Sequence, residues 1–455
     1  MKGRTVTGGS PPPEFDRWFA GPARYPVRTG NTVRPLIDGE PAFRRICAAI
    51  EAARFSVWAT VTFLWDDFEM PGGHGSFFDV LGRAARRGLD VRAIFWRPGE
   101  EMAKHRTNAF WGSARHLAQL QAAGSGILAR WDRSPTGFCQ HQKSWLVDAG
   151  HDEAVGIVGG INLNPHSMVA PGHHGQGHNH DVYVEISGPS TMDIHHNFVQ
   201  RWNNASERDR SDGLSGEAAA ASLRAALTEP RGQGPSVVQI QRTMPSGHHH
   251  GSPNPAETTI FDQYLAAIAA ARRSIYIENQ ALDVPVILEW LREALERDVE
   301  VVVVLPGEPE PIRYKRQTWL NAFADLAAHE NFTLAGIAGT GARGDRHDVY
   351  VHSKLMLIDD QWATIGSCNL HAASLFRNAE MNGSFWDPVI VRQLRCQLFT
   401  EHIGQTTEDL GAAAAHRHFG QVAQQNRLRW DAGATWQGLA FSLDPADYAR
   451  QRFVS

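Results

Sequence analysis

Lysine, cysteine and long hydrophobic runs are all scarce in this chain of 455 residues. The four cysteines are widely scattered and form no CxxC pair, which excludes a disulfide framework and a zinc knuckle. No window approaches the roughly 18 apolar residues of a membrane-spanning helix, so we expect no transmembrane segment. The net charge of −5 argues against a general nucleic-acid binder, because such a protein needs a basic face.

The first residues also lack the apolar stretch of a signal peptide. We therefore expect a cytoplasmic or peripheral membrane protein, or a secreted one if a signal peptide has been removed. Only five of the 44 basic residues are lysine. Each lysine is thus a candidate for a position that requires an ammonium group and not a guanidinium.

The chain contains an internal repeat. Residues 48–57 (AAIEAARFSV) and 266–275 (AAIAAARRSI) are identical at seven of ten positions, and each pattern predicts a helix that leads into a strand. The segments 81–96 and 291–306 each predict a further helix and a buried strand. With a Gly/Pro-rich join at 228–236, we expect two α/β halves, residues 1–232 and 233–455.

A second repeat carries the chemistry. HQKSWLVD at 141–148 and HSKLMLID at 352–359 both read H-x-K-x4-D. Composition predicts roughly 0.01 such matches per chain, so two in register indicate a functional duplication. Each motif is followed by a glycine turn and an asparagine: Gly159, Gly160 and Asn162 in the first half, and Gly366, Ser367 and Asn369 in the second.

The spacing within each motif predicts a phosphate site. The histidine and the lysine are two residues apart, and such residues point to the same face of a strand. Two halves that face each other would surround one pocket with paired histidines, lysines and asparagines. Lysines neutralise a phosphate, asparagine amides and the Ser367 hydroxyl hydrogen-bond its oxygens, and imidazoles do the chemistry.

The doubled motif, with GSxN after its second copy, resembles the phospholipase D superfamily. IYIENQ (275–280), HDVYVEISGPS (180–190) and GNTVRPLIDGE (30–40) resemble phospholipase D proper. The similarity covers most of residues 30–405. It implies an α/β fold of two tandem phospholipase D-like α/β/α sandwich domains, related by a pseudo-twofold duplication, with the active site at their interface.

The resemblance also implies a two-step phosphodiester reaction. One histidine attacks phosphorus to form a phosphohistidine, and the other protonates the leaving alcohol and then activates the acceptor. The N-terminal histidine of the family is usually the nucleophile, which corresponds to His141, with His352 as acid and base. A carboxylate downstream of each motif, here Asp181 and Glu380, would orient an imidazole.

The resulting set of expected site residues has three parts. The catalytic residues are His141, His352, Lys143, Lys354, Asp181 and Glu380. The phosphate-binding residues are Lys143, Asn162, Lys354, Ser367 and Asn369. The structural residues of the motif are Asp148, Asp359, Gly159, Gly160 and Gly366. Because the first half has a longer loop between motif and glycine turn, and Gly160 in place of serine, we interpret it as an altered loop with one fewer hydroxyl at the site.

These residues lead us to expect an enzyme, a phosphodiesterase of the phospholipase D type that hydrolyses phosphatidylcholine-like lipids to phosphatidate and a free headgroup, with transphosphatidylation. The alternatives are a phospholipid synthase of the cardiolipin or phosphatidylserine type, and a phosphodiesterase or nuclease of the same superfamily. We expect a monomer that meets phospholipid at a membrane or micelle surface and requires no metal and no cofactor.

Histidine is abundant, with 22 residues, and part of it lies in two glycine-rich runs. PGHHGQGHNHD spans 171–181 and SGHHHG spans 246–251. Clustered imidazoles can bind transition metals. We interpret both runs as solvated loops, while noting that the first lies between Asn162 and Asp181, beside the expected pocket.

Overall fold

The computed structural model describes residues 14–21, 23–99, 110–123, 126–133, 138–205, 214–215, 221–225, 228–246, 256–307, 323–341 and 343–448. The histidine run at 248–250 lies outside these residues. Within them, no helix is both long and apolar enough to cross a bilayer.

Eight of the eleven described strands of the first half form one side of a mixed sheet. The bounds of the eleven are β1 Arg28–Ile37, β2 Ser56–Val61, β3 Glu69–Met70, β4 Gly75–Ser76, β5 Asp90–Arg97, β6 Ile127–Arg133, β7 Ser144–Val147, β8 Val155–Gly159, β9 Asn179–His180, β10 Val182–Ser187 and β11 Leu214–Ser215. The order across the sheet is β11-β6-β5-β2-β7-β8-β10-β1. Only the β6-β5-β2 part is parallel, as expected for strands joined through helices.

Strands of the second half repeat this order. Their bounds are β12 Ser236–Met244, β13 Glu257–Thr258, β14 Ser274–Glu278, β15 Glu300–Val304, β16 Phe332–Thr340, β17 Arg346–Asp348, β18 Tyr350–Val351, β19 Leu355–Ile358, β20 Trp362–Gly366, β21 Glu380–Trp386 and β22 Ala440–Ser442. Across the sheet they run β22-β16-β15-β14-β19-β20-β21-β12, and again only three neighbours are parallel. Each strand in this order therefore has a counterpart in the first half.

The two halves join through the pairing of β1 with β12, which makes one sheet of 18 strands. The strand orders on either side of this junction mirror each other, so the expected duplication and α/β fold class are confirmed. The repeated segments become α1 with β2 and α5 with β14, and the next pair becomes α2 with β5 and α6 with β15, as the sequence predicts.

Helices cover both faces of the sheet. Their bounds are α1 Gly39–Ala52, α2 Phe77–Arg86, α3 Ala114–Ala123, α4 Thr191–Asn204, α5 Thr259–Ala270, α6 Pro285–Glu296, α7 Ala372–Phe376, α8 Pro388–Ile403, α9 Ala412–Asp431 and α10 Pro445–Tyr448. Helices α1 and α2 pack on the first half and α5 and α6 on the second, each over its own apolar core. A third core, between the halves, takes residues from α4, α8, α9 and both sides of the sheet.

Local sequence explains where several helices begin and end. Helix α2 starts with a reciprocal capping box between Ser76 and Asp79. Helix α8 starts at Pro388 after Asp387, whose carboxylate accepts the N–H of Ile390, and ends at Gly404 with φ 67°. Helix α8 follows β21, the strand that begins with Glu380.

Candidate active site

Two short parallel contacts place each H-x-K segment beside a carboxylate of the other half. Gln140 pairs with Ala379 across the halves, and Val351 pairs with His180 in the β9–β18 bridge. In a parallel contact the next residues along both chains are again neighbours. His141 therefore lies beside Glu380, the residue after Ala379. For the same reason His352 lies beside Asp181, the residue after His180.

The two histidines form crossed pairs with the predicted carboxylates. His141 Nδ1 lies 2.9 Å from Glu380 Oε2, and His352 Nδ1 lies 2.6 Å from Asp181 Oδ2. All four side chains are buried, and each pair joins one residue of the first half to one of the second. With Nδ1 turned to a carboxylate, each ring can present Nε2 to a reacting group.

The Glu380 carboxylate accepts hydrogen bonds from other groups besides His141. Its carboxylate also accepts the hydroxyl protons of Ser367 and Ser374, each at 2.6 Å. Burial raises the pKa of Glu380, but His141, Lys143 and the Ser367 hydrogen bond outweigh it and leave that pKa below its usual value. Burial also lowers the pKa of His141 to about 4, against the opposing pull of Glu380. The pair is thus an ionised carboxylate and a neutral imidazole at neutral pH.

The Asp181–His352 pair has a different environment. Asp181 Oδ1 accepts the N–H of Val182 at 2.8 Å, and its own backbone carbonyl accepts the N–H of Asp38 at 2.8 Å. Burial raises the pKa of Asp181 to about 7, with Lys354 opposing the shift. The two dyads therefore have the same geometry but unequal electrostatics.

Both motif lysines are buried next to the dyads. Lys143 Nζ donates to the backbone carbonyl of His141 at 2.8 Å, and Lys354 Nζ donates to that of His352 and to Gln280 Oε1 at 3.4 Å. Burial lowers the pKa of Lys143 to about 8, while Glu380 and Asp181 counter the shift. Two ammonium groups at this site can neutralise a bound phosphate without a basic protein surface.

The motif asparagines each have a buried side-chain oxygen without a hydrogen-bond partner among the described residues. The two atoms are Oδ1 of Asn162 and Oδ1 of Asn369, and both side chains are buried. A buried amide without a partner costs free energy unless a ligand supplies one. The two amides occupy equivalent positions in the halves, and a phosphate oxygen would accept from their Nδ2 groups, so both stay candidates for phosphate binding.

Ser367 has protein partners in this structure. Its hydroxyl donates its one proton to Glu380, and its oxygen accepts the N–H of Met381 at 3.1 Å. The side chain is fully buried. Ser367 thus holds the orienting carboxylate in place, and its expected contact with phosphate stays a prediction.

The longer loop of the first half lies between the motif and the glycine turn, as its sequence position predicts. Its extra residues fall in the turn between β7 and β8, beyond Asp148, at the end of the hairpin away from His141. At the site end the halves match: the N–H of Gly159 donates to the carbonyl of Lys143 at 3.4 Å, and the N–H of Gly366 donates to that of Lys354 at 3.1 Å.

Glycine at position 160 follows from close packing. A Cβ on Gly160 would stand 2.4 Å from Asp181 Oδ1 and 3.0 Å from Lys354 Cδ. In the second half, a Cβ on Gly366 would stand 1.9 Å from Asn382 Oδ1. These turns therefore require glycine because a side chain would displace the groups behind them.

The motif aspartates lie away from the dyads. Asp148 accepts the backbone N–H groups of Arg54, Phe55 and Ser56, and Asp359 accepts the equivalent groups of residues 272–274. Each aspartate thereby ties its hairpin to the loop before the adjacent strand. Their geometry is that of a structural brace.

Sequence reasoning missed several supports of the site. Gln142 donates to the carbonyl of Glu380 at 3.0 Å and accepts from Asn197 at 3.0 Å, while Ser374 binds the Glu380 carboxylate. Gln142 occupies the variable position inside H-x-K, and Ser374 lies in the short helix α7 outside any recognised motif. Only Gln280 lies in a segment, IYIENQ, that the sequence had singled out.

The sequence of this chain is similar to those of several known proteins. A family model described as "Cardiolipin synthase, PLD-like domain" matches residues 264–402, which include the second motif. Cardiolipin synthase A of Pseudomonas entomophila is 26% identical over 362 residues, and cardiolipin synthase of Listeria monocytogenes is 23% identical over 367. The chain belongs to the phospholipase D superfamily.

The matches cover most of this chain but less of its relatives. The Pseudomonas alignment spans 79% of this chain and 66% of that enzyme, and the Listeria alignment spans 80% and 67%. The chain thus spans about two thirds of the length of these curated relatives. These relatives are named synthases, whereas the activity expected first from the sequence is that of a hydrolytic phospholipase D.

A solved structure supports the fold. Phosphatidylserine synthase of Haemophilus influenzae superposes with a TM-score of 0.52 at 13% identity, over 88% of this chain and 94% of that one. At this identity the likeness concerns the fold alone. It agrees with the phospholipase D-like α/β architecture described above.

Proposed function

We propose that this chain is a phosphatidyltransferase of the phospholipid-synthase type. It moves a phosphatidyl group from one phospholipid to the hydroxyl of an acceptor alcohol, and hydrolysis is the side reaction when water replaces the acceptor. The preference for transfer rests on the relatives, which are named cardiolipin synthases. The chemistry itself rests on the crossed pairs His141–Glu380 and His352–Asp181.

In the first step His141 Nε2 attacks phosphorus and the bond from phosphorus to the headgroup oxygen breaks. His352 gives its proton to the departing alkoxide, so that a free alcohol leaves. The neutral state of His141, which burial favours, keeps the attacking lone pair available near neutral pH. Glu380 stabilises the positive charge that the ring develops.

In the second step the acceptor hydroxyl gives its proton to His352 and attacks the same phosphorus. The bond from phosphorus to His141 breaks, and a new phosphodiester leaves. Lys143 and Lys354 neutralise the phosphoryl oxygens in both steps. A site closed to water between the steps favours an alcohol acceptor, and the burial of both dyads supports such closure.

The test is an acceptor panel on vesicles of phosphatidylglycerol, with products identified by lipid mass spectrometry. Wild-type protein receives phosphatidylglycerol alone, added deuterium-labelled glycerol or added serine, and the yields of diphosphatidyl lipid, exchanged lipid and phosphatidate are compared. We expect transfer products to exceed phosphatidate. Phosphatidate as the sole product at every acceptor concentration would assign a hydrolase instead.

Two variants and one control accompany the panel. His141→Asn and His352→Asn should each abolish turnover, because each removes the reacting ring nitrogen. His329→Asn, at a half-buried histidine outside the site, should retain wild-type turnover. Turnover by either dyad variant, or cleavage of a nucleic acid without any action on lipid, would contradict the proposal.

A further inference from the structure

A second cluster of buried ionisable side chains lies behind the Asp181–His352 dyad. Asp38, His173 and His180 are each fully buried, and Glu401 on α8 closes the cluster with a side chain that is 8% exposed. One ligand-type atom from each of the four lies within 4.8 Å of every other. The histidines come from the glycine-rich run that the sequence interpretation took to be solvated, and for His173 and His180 that interpretation is wrong.

The donor atoms of the cluster lie close enough together to share one small metal ion. A metal ion bound at about 2.0–2.2 Å by four donors separates those donors by about 3.3–3.6 Å. His173 Nε2 lies 3.3 Å from His180 Nδ1, 3.2 Å from Asp38 Oδ2 and 3.6 Å from Glu401 Oε1. His180 Nδ1 lies 3.0 Å from Asp38 Oδ1.

One histidine of the cluster has the outer partner typical of a metal ligand. His180 turns Nδ1 towards the cluster and Nε2 towards Glu278, whose Oε2 lies 3.0 Å away. A carboxylate that accepts the second N–H of a ligating imidazole fixes its tautomer and raises its basicity. Glu278 is itself held by Ser353 at 2.8 Å and by Tyr276 at 2.7 Å.

Charge and backbone conformation add two independent observations. Asp38 Oδ2 is fully buried and, within the described residues, meets His173 Nε2 at 3.2 Å without a well-directed hydrogen bond. The backbone is held in unfavourable regions at two of the four positions, with φ 64° and ψ 161° at Asp38 and φ 47° at His173. Such strain persists where the surroundings fix a functional geometry. Asp38 and Glu401 both contact His173 Nε2, and a cation bound between these carboxylates would offset their repulsion.

We propose that Asp38, His173, His180 and Glu401 form a binding site for one divalent transition-metal ion, with zinc as the best match. Two imidazoles and two carboxylates suit zinc in tetrahedral geometry and neutralise its charge. Calcium and magnesium prefer sites made of oxygen ligands alone. This site revises the expectation that the protein binds no metal, and it does not depend on the proposed transferase activity.

The ion acts as a structural clamp between the halves. Three ligands come from the first half, while Glu401 and the supporting Glu278 come from the second. The clamp also reaches the dyad, because the carbonyl of His180 accepts the N–H groups of His352 and Ser353 at 2.8 and 3.0 Å. Loss of the ion should therefore loosen the segment that carries His352.

The test measures metal content and unfolding of the full chain. Protein expressed with zinc in the medium is dialysed and analysed by inductively coupled plasma mass spectrometry, and we expect about one zinc per chain. His173→Gln should remove the ion. His174→Gln changes the exposed histidine next in the chain and should retain it.

Unfolding supplies a second readout that does not need the variants. Chelator-stripped wild type should gain in unfolding midpoint when Zn²⁺ is added, and His174→Gln should gain equally. Glu278→Gln should weaken Zn²⁺ binding about 10- to 100-fold in calorimetric titration. If His173→Gln does not fold, Glu401→Gln at the rim of the site takes its place. Wild type without bound transition metal, and without any shift in midpoint on Zn²⁺ addition, would overturn the proposal in favour of a proton-bridged cluster.

Discussion

Replacing Glu380 with glutamine tests whether the crossed carboxylate controls the reacting histidine. The variant keeps the size of the side chain but removes its charge and presents an amide NH₂ group. At present the carboxylate accepts from His141 Nδ1 at 2.9 Å and from Ser367 and Ser374 at 2.6 Å. A glutamine cannot accept all three. When its NH₂ group faces His141, the ring takes the opposite tautomer and Nε2 carries the proton.

The expected loss can be worked from this geometry. Holding the wrong tautomer and losing the partner of the developing imidazolium lowers kcat by about 10³- to 10⁴-fold in comparable triads, or about 4–5.5 kcal/mol. The change also removes the negative charge of Glu380, which raises the pKa of Lys143. That pKa should then fall from about 8 to a lower value, and a smaller fraction of Lys143 is charged at neutral pH. The free energy of unfolding should fall by only about 1–3 kcal/mol, the range for a buried hydrogen-bond partner.

The assay is the initial rate of phosphatidyl transfer at saturating vesicle concentration, with urea unfolding on the same preparations. Asp359→Asn is the matched control, because Asp359 is also a buried carboxylate of the second half but binds only backbone N–H groups. It should lower stability and leave kcat near wild type. Folded Glu380→Gln protein with kcat within tenfold of wild type would refute the reasoning.

Three further predictions follow. Burial lowers the pKa of His141 from 6.5 to about 4, so its contribution to the free energy of unfolding is complete above pH 6.5 and falls by about 1.4 kcal/mol per pH unit down to pH 4. The difference in free energy of unfolding between wild type and His141→Asn, measured in urea, should therefore change between pH 7 and pH 5. A difference that does not depend on pH would contradict this. Gly160→Ala should lower kcat at least tenfold by displacing Asp181, whereas Gly99→Ala, with open space around the residue, should leave kcat unchanged. Equal kcat values for the two variants would show that the turn at Gly160 adjusts. Asp148→Asn should lower the thermal midpoint with kcat retained, and a loss of activity at full stability would place this residue in the chemistry.

The duplication and the reacting histidines could be predicted from sequence because both leave local, countable patterns. The repeated helix–strand segments and the two H-x-K-x4-D motifs have nearly the same offset, and apolar periodicity fixes the secondary structure around them. The crossing of the dyads could not be predicted in this way. It depends on contacts such as Gln140 with Ala379, which join positions far apart in the chain.

The surroundings of single side chains could not be predicted from the sequence, for physical reasons. Ser367 follows a glycine turn, and its hydroxyl faces the buried carboxylate of Glu380, a contact that the local sequence does not show. In the run 171–181, the composition is that of a solvated loop, yet His173 and His180 are buried while His174 between them is exposed. Composition describes a segment as a whole, whereas the contacts of each side chain with the opposite half decide its burial.

The crossed dyads make each half of the chain incomplete without the other. The first half supplies His141 but takes its carboxylate from β21, and the second half supplies His352 but takes its carboxylate from the first half, next to β9. Because the pairs use glutamate in one case and aspartate in the other, with different surroundings, the duplicated site has no need to remain symmetric. Unequal dyads suit a reaction in which one histidine attacks and the other transfers protons. A single gene that holds both halves can maintain this inequality, which two identical subunits could not.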